Sequence, residues 1–263
     1  MAQNVTTAFV DLFDSEVKQA YQAESLLRGT MRTRTGVAGN TVKFPTIGKG
    51  VATLRVPQTD VTPLNVTYGR VTATMEDYIA AEYSDIFQQS HINFDERSEL
   101  VQVVSKSIAR RMDQIMIDAL NAATGTSTVA TTVGGAGTNM NIEKLRATAK
   151  ALNEKNVPSE NRRLLMHASQ LDALLGETEI TSQDFMGFTI LTMGDRDEGG
   201  IPKPSTRTCF AWHQDSMGYA ESMSQKTEVN YVPEKTSFLV SSMFSAGSVA
   251  IDGEGIVKIS CTE

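Results

Sequence analysis

The longest regular pattern of hydrophobic positions lies between residues 93 and 125 and predicts one amphipathic helix. Its apolar residues recur at spacings of three and four, which places them on one side of a helix. They are Leu100, Val104, Ile108, Met112, Ile115, Ala119 and Ala122. Asn93 and Glu96 have the spacing of a capping pair, and Gly125 is placed to end the helix. About 30 uninterrupted residues would span roughly 45 Å.

A second helical pattern lies near the beginning of the chain. Phe9, Phe13, Val17, Tyr21 and Leu27 fall roughly on one side of a predicted helix. A solitary helix of this length is only marginally stable in water. We therefore expect it to lie on a surface, either of its own fold or of a neighbouring molecule.

Between residues 41 and 84 the pattern changes to the alternation and the Val/Thr/Tyr/Ile content typical of strands. Strands are predicted in TVKFPTI, in ATLRV and in VTYGRVTATMEDYIAAEYS. The turn-rich segment PQTDVTPLN separates the second from the third and predicts a long hairpin with a polar end. Because an isolated hairpin is marginally stable, we expect a second copy of the chain to support it. The alternative is a hairpin folded back into its own sheet.

The second half of the chain predicts an α/β layer followed by a series of strands. A Thr/Gly/Ala tract after the long helix marks a domain boundary. Asn141 is expected to cap a helix that runs to Asn156, ahead of Pro158. RRLLMHA and FMGFTILTM are predicted strands on either side of a short helix, SQLDALL, capped by Ser169. Short strands are then predicted in CFAWHQ, TEVNYV, SFLVSSMF, SVAID and GIVKISC.

Composition and charge narrow the class of protein. A chain of 263 residues can bury the core of one large domain or of two small ones. Its net charge of -7 argues against a protein that grips nucleic acid, because such proteins present a basic face. Cys209 and Cys261 lack metal-ligand spacing and are expected to be reduced, buried thiols. A secretion signal and an apolar run long enough for a membrane span are also missing, which favours a cytoplasmic place of assembly and no membrane partner.

A search for catalytic chemistry finds no active site. His91, His167 and His213 have no second ligand at metal-binding spacing, and we expect structural roles for them. Asp195 and Asp197 could bind a cation, but the calcium-loop pattern is missing, which favours a solvated loop. The glycine-rich segments do not complete a phosphate-binding motif. We therefore predict no catalytic residue, no metal and no cofactor, and we expect a protein that is not an enzyme.

The order of these elements resembles the major capsid protein of tailed bacteriophages, which has the Hong Kong 97 capsid fold. The likeness covers nearly the whole chain. Its most specific segments are SKSIARRMDQIMIDAL, NEKNVPSENRRLLMHASQLDALL, MGFTILTM, AWHQDSMGYAE and VNYVPEKTSFLVSSMFSAGSVAIDGEGIVKISC. The resemblance implies an α+β fold with an N-terminal arm, an extended E-loop hairpin, a long spine helix in a peripheral domain, and an axial α/β domain.

The resemblance also implies how these parts divide the chain. Residues 1–45 would form the arm and residues 46–84 the E-loop. Residues 85–125 with 229–263 would form the peripheral domain, and residues 126–228 the axial domain. Contacts between subunits would then involve Leu54, Arg55, Val56, Asp60, Leu64, Phe9, Phe13, Glu234 and Lys235.

The function implied is that of a major capsid protein. It would assemble with itself into hexamers and pentamers of an icosahedral shell that encloses packaged double-stranded DNA without sequence-specific binding. A separate scaffolding protein and a portal protein are implied partners, and a decoration protein is a further candidate. The chain would be assembled in the bacterial cytoplasm and reside in the virion capsid. The tip of the hairpin, PQTDVTPLN, has no lysine, and Thr236 and Ser237 stand where some members use asparagine, which argues against Lys–Asn cross-linking.

Two alternatives come from other classes of protein. An encapsulin-like bacterial nanocompartment uses the same fold to enclose enzymes, and it would carry a groove for a cargo peptide. An enzyme with an α/β core and no metal is the third hypothesis, although no acid, base or nucleophile grouping supports it.

Overall fold

The computed structural model describes residues 24–91, 95–177, 186–196, 198–203 and 205–262. In chain order, the elements are β1 (Arg32–Thr35), β2 (Thr41–Ile47), β3 (Tyr68–Thr74), β4 (Glu76–Asp85), α1 (Ile86–His91), α2 (Glu96–Ala122), β5 (Ser127–Val129), α3 (Ile142–Glu154), β6 (Arg162–His167), α4 (Ala168–Leu175), β7 (Phe188–Met193), β8 (Arg207–His213), β9 (Met217–Val232), β10 (Ser237–Ala250) and β11 (Ile256–Cys261). Three sheets result, of four, five and two strands.

The predicted long helix is α2, and it is shorter at both ends than the sequence pattern suggested. It has 27 residues, and the residue before it is Asp95, whose side chain makes no capping hydrogen bond. The predicted capping residue Asn93 lies outside the described residues. The helix ends ahead of Ala123, so the prediction that Gly125 closes it was wrong. Acidic Glu96 and Glu99 lie in its first turn, where the helix dipole favours negative charge.

The buried face of α2 follows the predicted stripe over its first half only. Val104, Ile108 and Met112 are buried as predicted, and burial then continues at Met116, Ile117 and Leu120. Two of the residues predicted for the second half, Ile115 and Ala119, are half-buried beside the core, and the third, Ala122, is exposed. Each step of four residues turns a side chain about 40° further around a helix. Along α2, the residues that contact the sheet therefore gradually depart from the predicted stripe.

The four-stranded sheet has the order β1-β9-β10-β4, and α2 packs against β10, β4 and β9. β9 has 16 residues and β10 has 14, and they pair antiparallel along most of their lengths. The prediction of separate short strands in SFLVSSMF and SVAID was therefore wrong. Gly247 lies within β10, where a Cβ atom would come within 2.0 Å of the Thr74 carbonyl oxygen. The pairing with β9 keeps β10 extended through this glycine, which lies opposite Ala220.

The five-stranded sheet has the order β5-β11-β8-β6-β7, and α3 packs on it. The predicted cap of α3 is confirmed, because the Asn141 side chain accepts a hydrogen bond from the Lys144 backbone N–H at 2.8 Å. The predicted cap of α4 was wrong. His167, the last residue of β6, caps that helix by accepting from the Ser169 backbone N–H at 3.2 Å. An imidazole nitrogen replaces the expected serine hydroxyl.

The predicted hairpin is formed by β2 and β3, which pair antiparallel from Thr41 opposite Thr74 to Ile47 opposite Tyr68. The predicted strand ATLRV was wrong, because residues 48–67 contain no strand. Pro57 and Pro63 cannot donate backbone hydrogen bonds, which limits any ladder there. We call residues 48–67 the hairpin end.

The base of the predicted arm is held by α2. Residues 1–23 lie outside the described residues, and the predicted helix does not reach its expected end, because residues 24–27 are not helical. Leu27 and Met31 are buried in the same core as α2. The buried Asp113 carboxylate of α2 accepts from the backbone N–H groups of Leu26 and Leu27. These bonds fix the point at which the first residues join the body.

Candidate assembly surface

The hairpin end exposes apolar side chains that the other described residues do not cover. The exposed fraction is 93% for Leu54, 88% for Val61 and 82% for Val51. Val56 and Leu64 are each 54% exposed. Arg55 and Asp60, also predicted as contacts, are exposed in the same segment. The structure thus brings the five predicted contact residues of the hairpin onto one exposed segment.

One ion pair joins the hairpin end to the body among the described residues. The Lys49 ammonium donates to the Glu254 carboxylate at 2.5 Å, and Lys155 lies 4.0 Å from the other oxygen of that carboxylate. The hydrogen bond from Lys49 lowers the pKa of Glu254, and the same bond raises the pKa of Lys49. Both groups are solvent-exposed, so this contact restrains the hairpin end only weakly.

The second predicted contact region lies at the turn between β9 and β10. Glu234 and Lys235 are exposed in a short 3-10 turn, Pro233–Lys235. The Lys235 ammonium lies 4.0 Å from the centre of the Tyr83 ring, a cation–π geometry. The turn closes at Thr236, which has a φ of 47°, so the backbone there is left-handed. A defined turn therefore presents a carboxylate and an ammonium group on adjacent residues.

A third exposed surface, on the edge strand β4, was missed by the sequence analysis. Ile79 is 68% exposed and Tyr83 is 41% exposed, and both lie on the same side of the strand. The strand also carries four acidic residues and no basic residue, with the sequence EDYIAAEYSD. The alternation of apolar and polar residues was the available signal, but it does not reveal that β4 ends its sheet.

The predicted contacts Phe9 and Phe13 lie outside the described residues. The arm base that follows them is held firmly by Asp113, which also accepts from the Ser25 hydroxyl at 2.8 Å and from the Arg196 guanidinium at 3.0 Å. A buried carboxylate with several donors is well satisfied. The first described residues are therefore fixed to α2.

The structure also brings together a serine, a histidine and an aspartate that the sequence analysis kept apart. The His167 Nδ1 atom lies 2.9 Å from the Ser169 Oγ atom, and its Nε2 atom lies 3.3 Å from an Asp195 oxygen. The Nδ1 lone pair already accepts the Ser169 backbone N–H in the cap of α4, so it is not free to act as a base. Asp195 in turn accepts from the Arg207 guanidinium at 2.9 Å. The grouping is accounted for by helix capping and loop anchoring.

Two further findings apply to the described parts of the chain. No group of three or more His, Cys, Asp and Glu residues there could hold a metal ion. No helix there is both long and apolar enough to cross a membrane.

The fold matches solved capsid structures of phages over nearly its full length. The capsid of cyanophage P-SCSP1u has a TM-score of 0.77 at 14% identity, with 100% of this chain and 96% of that chain covered. The head of Helicobacter pylori bacteriophage KHP40 has a TM-score of 0.77 at 10% identity, with 95% of each chain covered. The structure from Mycobacterium phage Che8 has a TM-score of 0.72 at 14% identity, covering 95% and 96%. The molecule thus has the predicted α+β fold of phage capsid proteins.

The sequence itself shows the family. Residues 5–263 match the family described as phage capsid protein, and the chain belongs to that family. No curated protein matches the sequence.

Proposed function

We propose that this chain is the major capsid protein of a tailed bacteriophage. It assembles into hexamers and pentamers, and these form the icosahedral shell around a packaged double-stranded DNA genome. The observation that carries this proposal is the match of residues 5–263 to the phage capsid protein family. The exposed apolar surface of the hairpin end supports it independently, because such a surface requires a partner.

The hairpin end is proposed as the principal contact with a neighbouring copy. Fully burying a Leu or Val side chain contributes about 1.5–3 kcal/mol, and Val51, Leu54 and Val61 are more than four-fifths exposed. Each contact is repeated in every copy of a shell, so a modest gain per subunit stabilises the whole assembly. Ordering the hairpin end costs conformational entropy only on assembly, which keeps the free subunit from associating too tightly.

Charge supports β4 of the neighbouring copy as the surface that receives the hairpin. The hairpin carries basic Lys43, Lys49, Arg55 and Arg70 and one acidic residue, Asp60. The charged residues of the edge strand β4 are all acidic, and they lie near its exposed Ile79 and Tyr83. Opposite charges of this kind set the register and speed of association more than its affinity.

The four-part division of the chain remains a proposal. In it, residues 1–45 are the arm, 46–84 the E-loop, 85–125 with 229–263 the peripheral domain, and 126–228 the axial domain. The boundary between residues 228 and 229 falls within β9, and β11 lies in the same sheet as β8. The two proposed domains therefore share strands. Glu234 and Lys235, at the end of the β9–β10 hairpin, are proposed as a second contact between copies.

The remaining partners follow from the same proposal. A separate scaffolding protein and a portal protein would take part in assembly in the bacterial cytoplasm, and a decoration protein is a further candidate. The net charge of -7 supports a shell that encloses DNA without gripping it, because phosphate binding requires many basic contacts. An enzymatic role is not proposed. The encapsulin-like alternative is not favoured, because the family match is to phage capsid proteins.

The proposal is tested by expressing the chain alone and together with its genomic neighbours. Size-exclusion chromatography and negative-stain electron microscopy should show capsomer rings or closed icosahedral shells. A deletion variant that lacks Ala52 to Asn65 should give a folded subunit that forms no closed shell. A full-length chain that stays monomeric under both conditions would contradict the function. Normal shells from the deletion variant would contradict only the proposed role of the hairpin end, and not the proposed function.

A further inference from the structure

The two cysteines, far apart in sequence, lie side by side in the five-stranded sheet. Cys209 in β8 is opposite Ile259 in β11, and Cys261 is opposite Arg207. The two cysteines are therefore diagonal neighbours on one face. Both are fully buried in the core beneath α3, and each thiol shifts the pKa of the other. Their spacing in the sequence, without a C-x-x-C motif, does not predict a redox pair.

A buried ammonium lies beside this pair. Lys144 in α3 has no exposed surface, and its Nζ atom donates to the backbone carbonyls of Ser260 and Thr138 at 2.9 and 2.6 Å. The hydrogen bond from Cys209 and the charge of Lys144 lower the pKa of Cys261. The pKa of Cys209 is raised by the hydrogen bond to Cys261 and by burial. Cys261 is thus the thiol that ionises first.

We propose that Cys209 and Cys261 are a redox pair, which a small-molecule disulfide such as oxidised glutathione converts into an intramolecular disulfide. The Cys261 thiolate attacks the glutathione disulfide, forming a mixed disulfide and releasing one glutathione thiolate. The Cys209 sulfur then attacks the Cys261 sulfur of that mixed disulfide and releases the second glutathione. The two protons of the cysteines pass to the two leaving thiolates. The protein loses two electrons and the oxidant gains them.

Access to the pair requires the end of β11 to separate from β8, because both cysteines are fully buried. Cys261 is the last residue of β11, the final strand of the chain, and strand ends open more readily than strand centres. Diagonal cross-strand neighbours lie about 7–8 Å apart, and disulfide-linked Cα atoms are usually within about 6.8 Å of each other, so the backbone must move. That movement must break the hydrogen bonds that hold the end of β11, from the Thr262 backbone N–H to the Thr138 carbonyl at 3.2 Å and from Lys144 Nζ to the Ser260 carbonyl at 2.9 Å.

The consequence for a shell rests on the proposed function. Thiols stay reduced in a bacterial cytoplasm and oxidise outside it, so a shell assembled with free thiols would gain its cross-link after release. The bond would join β11 to β8 and close a long loop of chain, which stabilises the folded state. The chemistry itself can be tested on the isolated chain, so a failure of assembly leaves this test intact.

The experiment treats the folded, unmodified chain with oxidised glutathione and follows it by intact-mass spectrometry and non-reducing peptide mapping. The expected product has lost two hydrogens and contains one linked pair of peptides, carrying Cys209 and Cys261. The midpoint of thermal unfolding should rise by about 5 °C on oxidation. Free thiols after oxidation, a stable glutathione adduct, or links only between chains would overturn the proposal. An unchanged midpoint would overturn the stabilising role.

Variants separate a redox pair from two merely neighbouring thiols. Lys144→Met should slow formation of the disulfide about tenfold, because the thiolate loses its neighbouring positive charge. Lys150→Met, at an exposed position of the same helix, is the matched control and should leave the rate unchanged. Equal rates in both variants would contradict the role of Lys144. If Lys144→Met fails to fold, the pH dependence of the rate in the unmodified chain replaces it, and the rate should rise with deprotonation of a single thiol.

Discussion

The hairpin end and the five-stranded sheet both carry many apolar side chains, but their exposures are opposite. Leu54 and Val61 in the hairpin end are 93% and 88% exposed, whereas Phe210 and Trp212 in β8 are fully buried. The three inner strands of the sheet, which include β8, have neighbours on each side, and helices cover its core. The hairpin end has neither. The same kind of side chain thus stabilises the subunit in one region and is exposed in the other, where we propose that a second copy covers it.

This difference separates the energetics of folding from those of assembly. Burial in the body contributes to the free energy of unfolding of each subunit. In the proposed function, burial of the hairpin end contributes only when copies meet, and its effect then depends on concentration. Substitutions in the body should therefore change the free energy of unfolding, whereas substitutions in the hairpin end should change the concentration needed for assembly.

The largest expected effect is on folding, from Ile108→Asp in α2. Ile108 is 2% exposed, and an unpaired carboxylate in that core should destabilise the subunit by at least about 4 kcal/mol. Urea unfolding followed by circular dichroism measures the change. Gln102→Asp, at an exposed position of the same helix, is the control and should cost less than about 1 kcal/mol. A stable, assembling Ile108→Asp protein would show that the buried face of α2 is misassigned.

The next effect concerns the junction between arm and body. Asp113→Ala removes the acceptor of Leu26, Leu27 and Arg196 and should cost about 3 kcal/mol, because it leaves buried donors and a charge unpaired. Asp118→Ala, an exposed position of the same helix, should change the unfolding free energy by less than about 0.5 kcal/mol. Equal losses in both variants would contradict the anchoring role.

The double variant Leu54→Ser/Val61→Ser tests whether the apolar side chains of the hairpin end act in assembly and not in folding. Its free energy of unfolding should stay within about 0.5 kcal/mol of the parent. The concentration needed for assembly should rise at least about tenfold, because apolar burial between copies is lost. Light scattering against concentration measures the shift. Thr53→Ala in the same segment is the control, and a parallel loss of subunit stability would show that these side chains pack within their own chain.

The smallest expected effect comes from the Lys49–Glu254 pair. The folded-state pKa of Glu254 lies below its ordinary value of 4.5, so the restraint is present above that pH and is lost as the pH falls through the folded-state pKa. Hydrogen exchange at Gly48 to Gly50 should accelerate on acidification beyond its intrinsic pH dependence. Glu254→Gln should remove this extra acceleration, whereas Glu228→Gln, in a separate exposed pair, should keep it.

Much of the local structure could be predicted from the sequence, because periodicity and capping act over a few residues. The pattern located α2 and α3, identified Asn141 as a cap, and placed strands at β2, β6 and β7. It failed at ATLRV, where strand-forming residues find no partner strand, and at β9 and β10, where pairing of the two strands with each other extends each one past local interruptions. His167 in place of Ser169 shows that geometry at the end of a strand selects the capping group.

For the candidate site, the sequence determined which residues are apolar and which are charged, and the tertiary structure decided which of them are exposed. Leu54 and Leu120 are the same residue type, yet one is 93% exposed and the other 0%. Only the fold places β4 at the edge of its sheet, and only the fold brings Cys261 beside Cys209. The physical reason is that periodicity records contacts between residues close in sequence, whereas exposure and pairing are set by contacts between residues far apart in sequence.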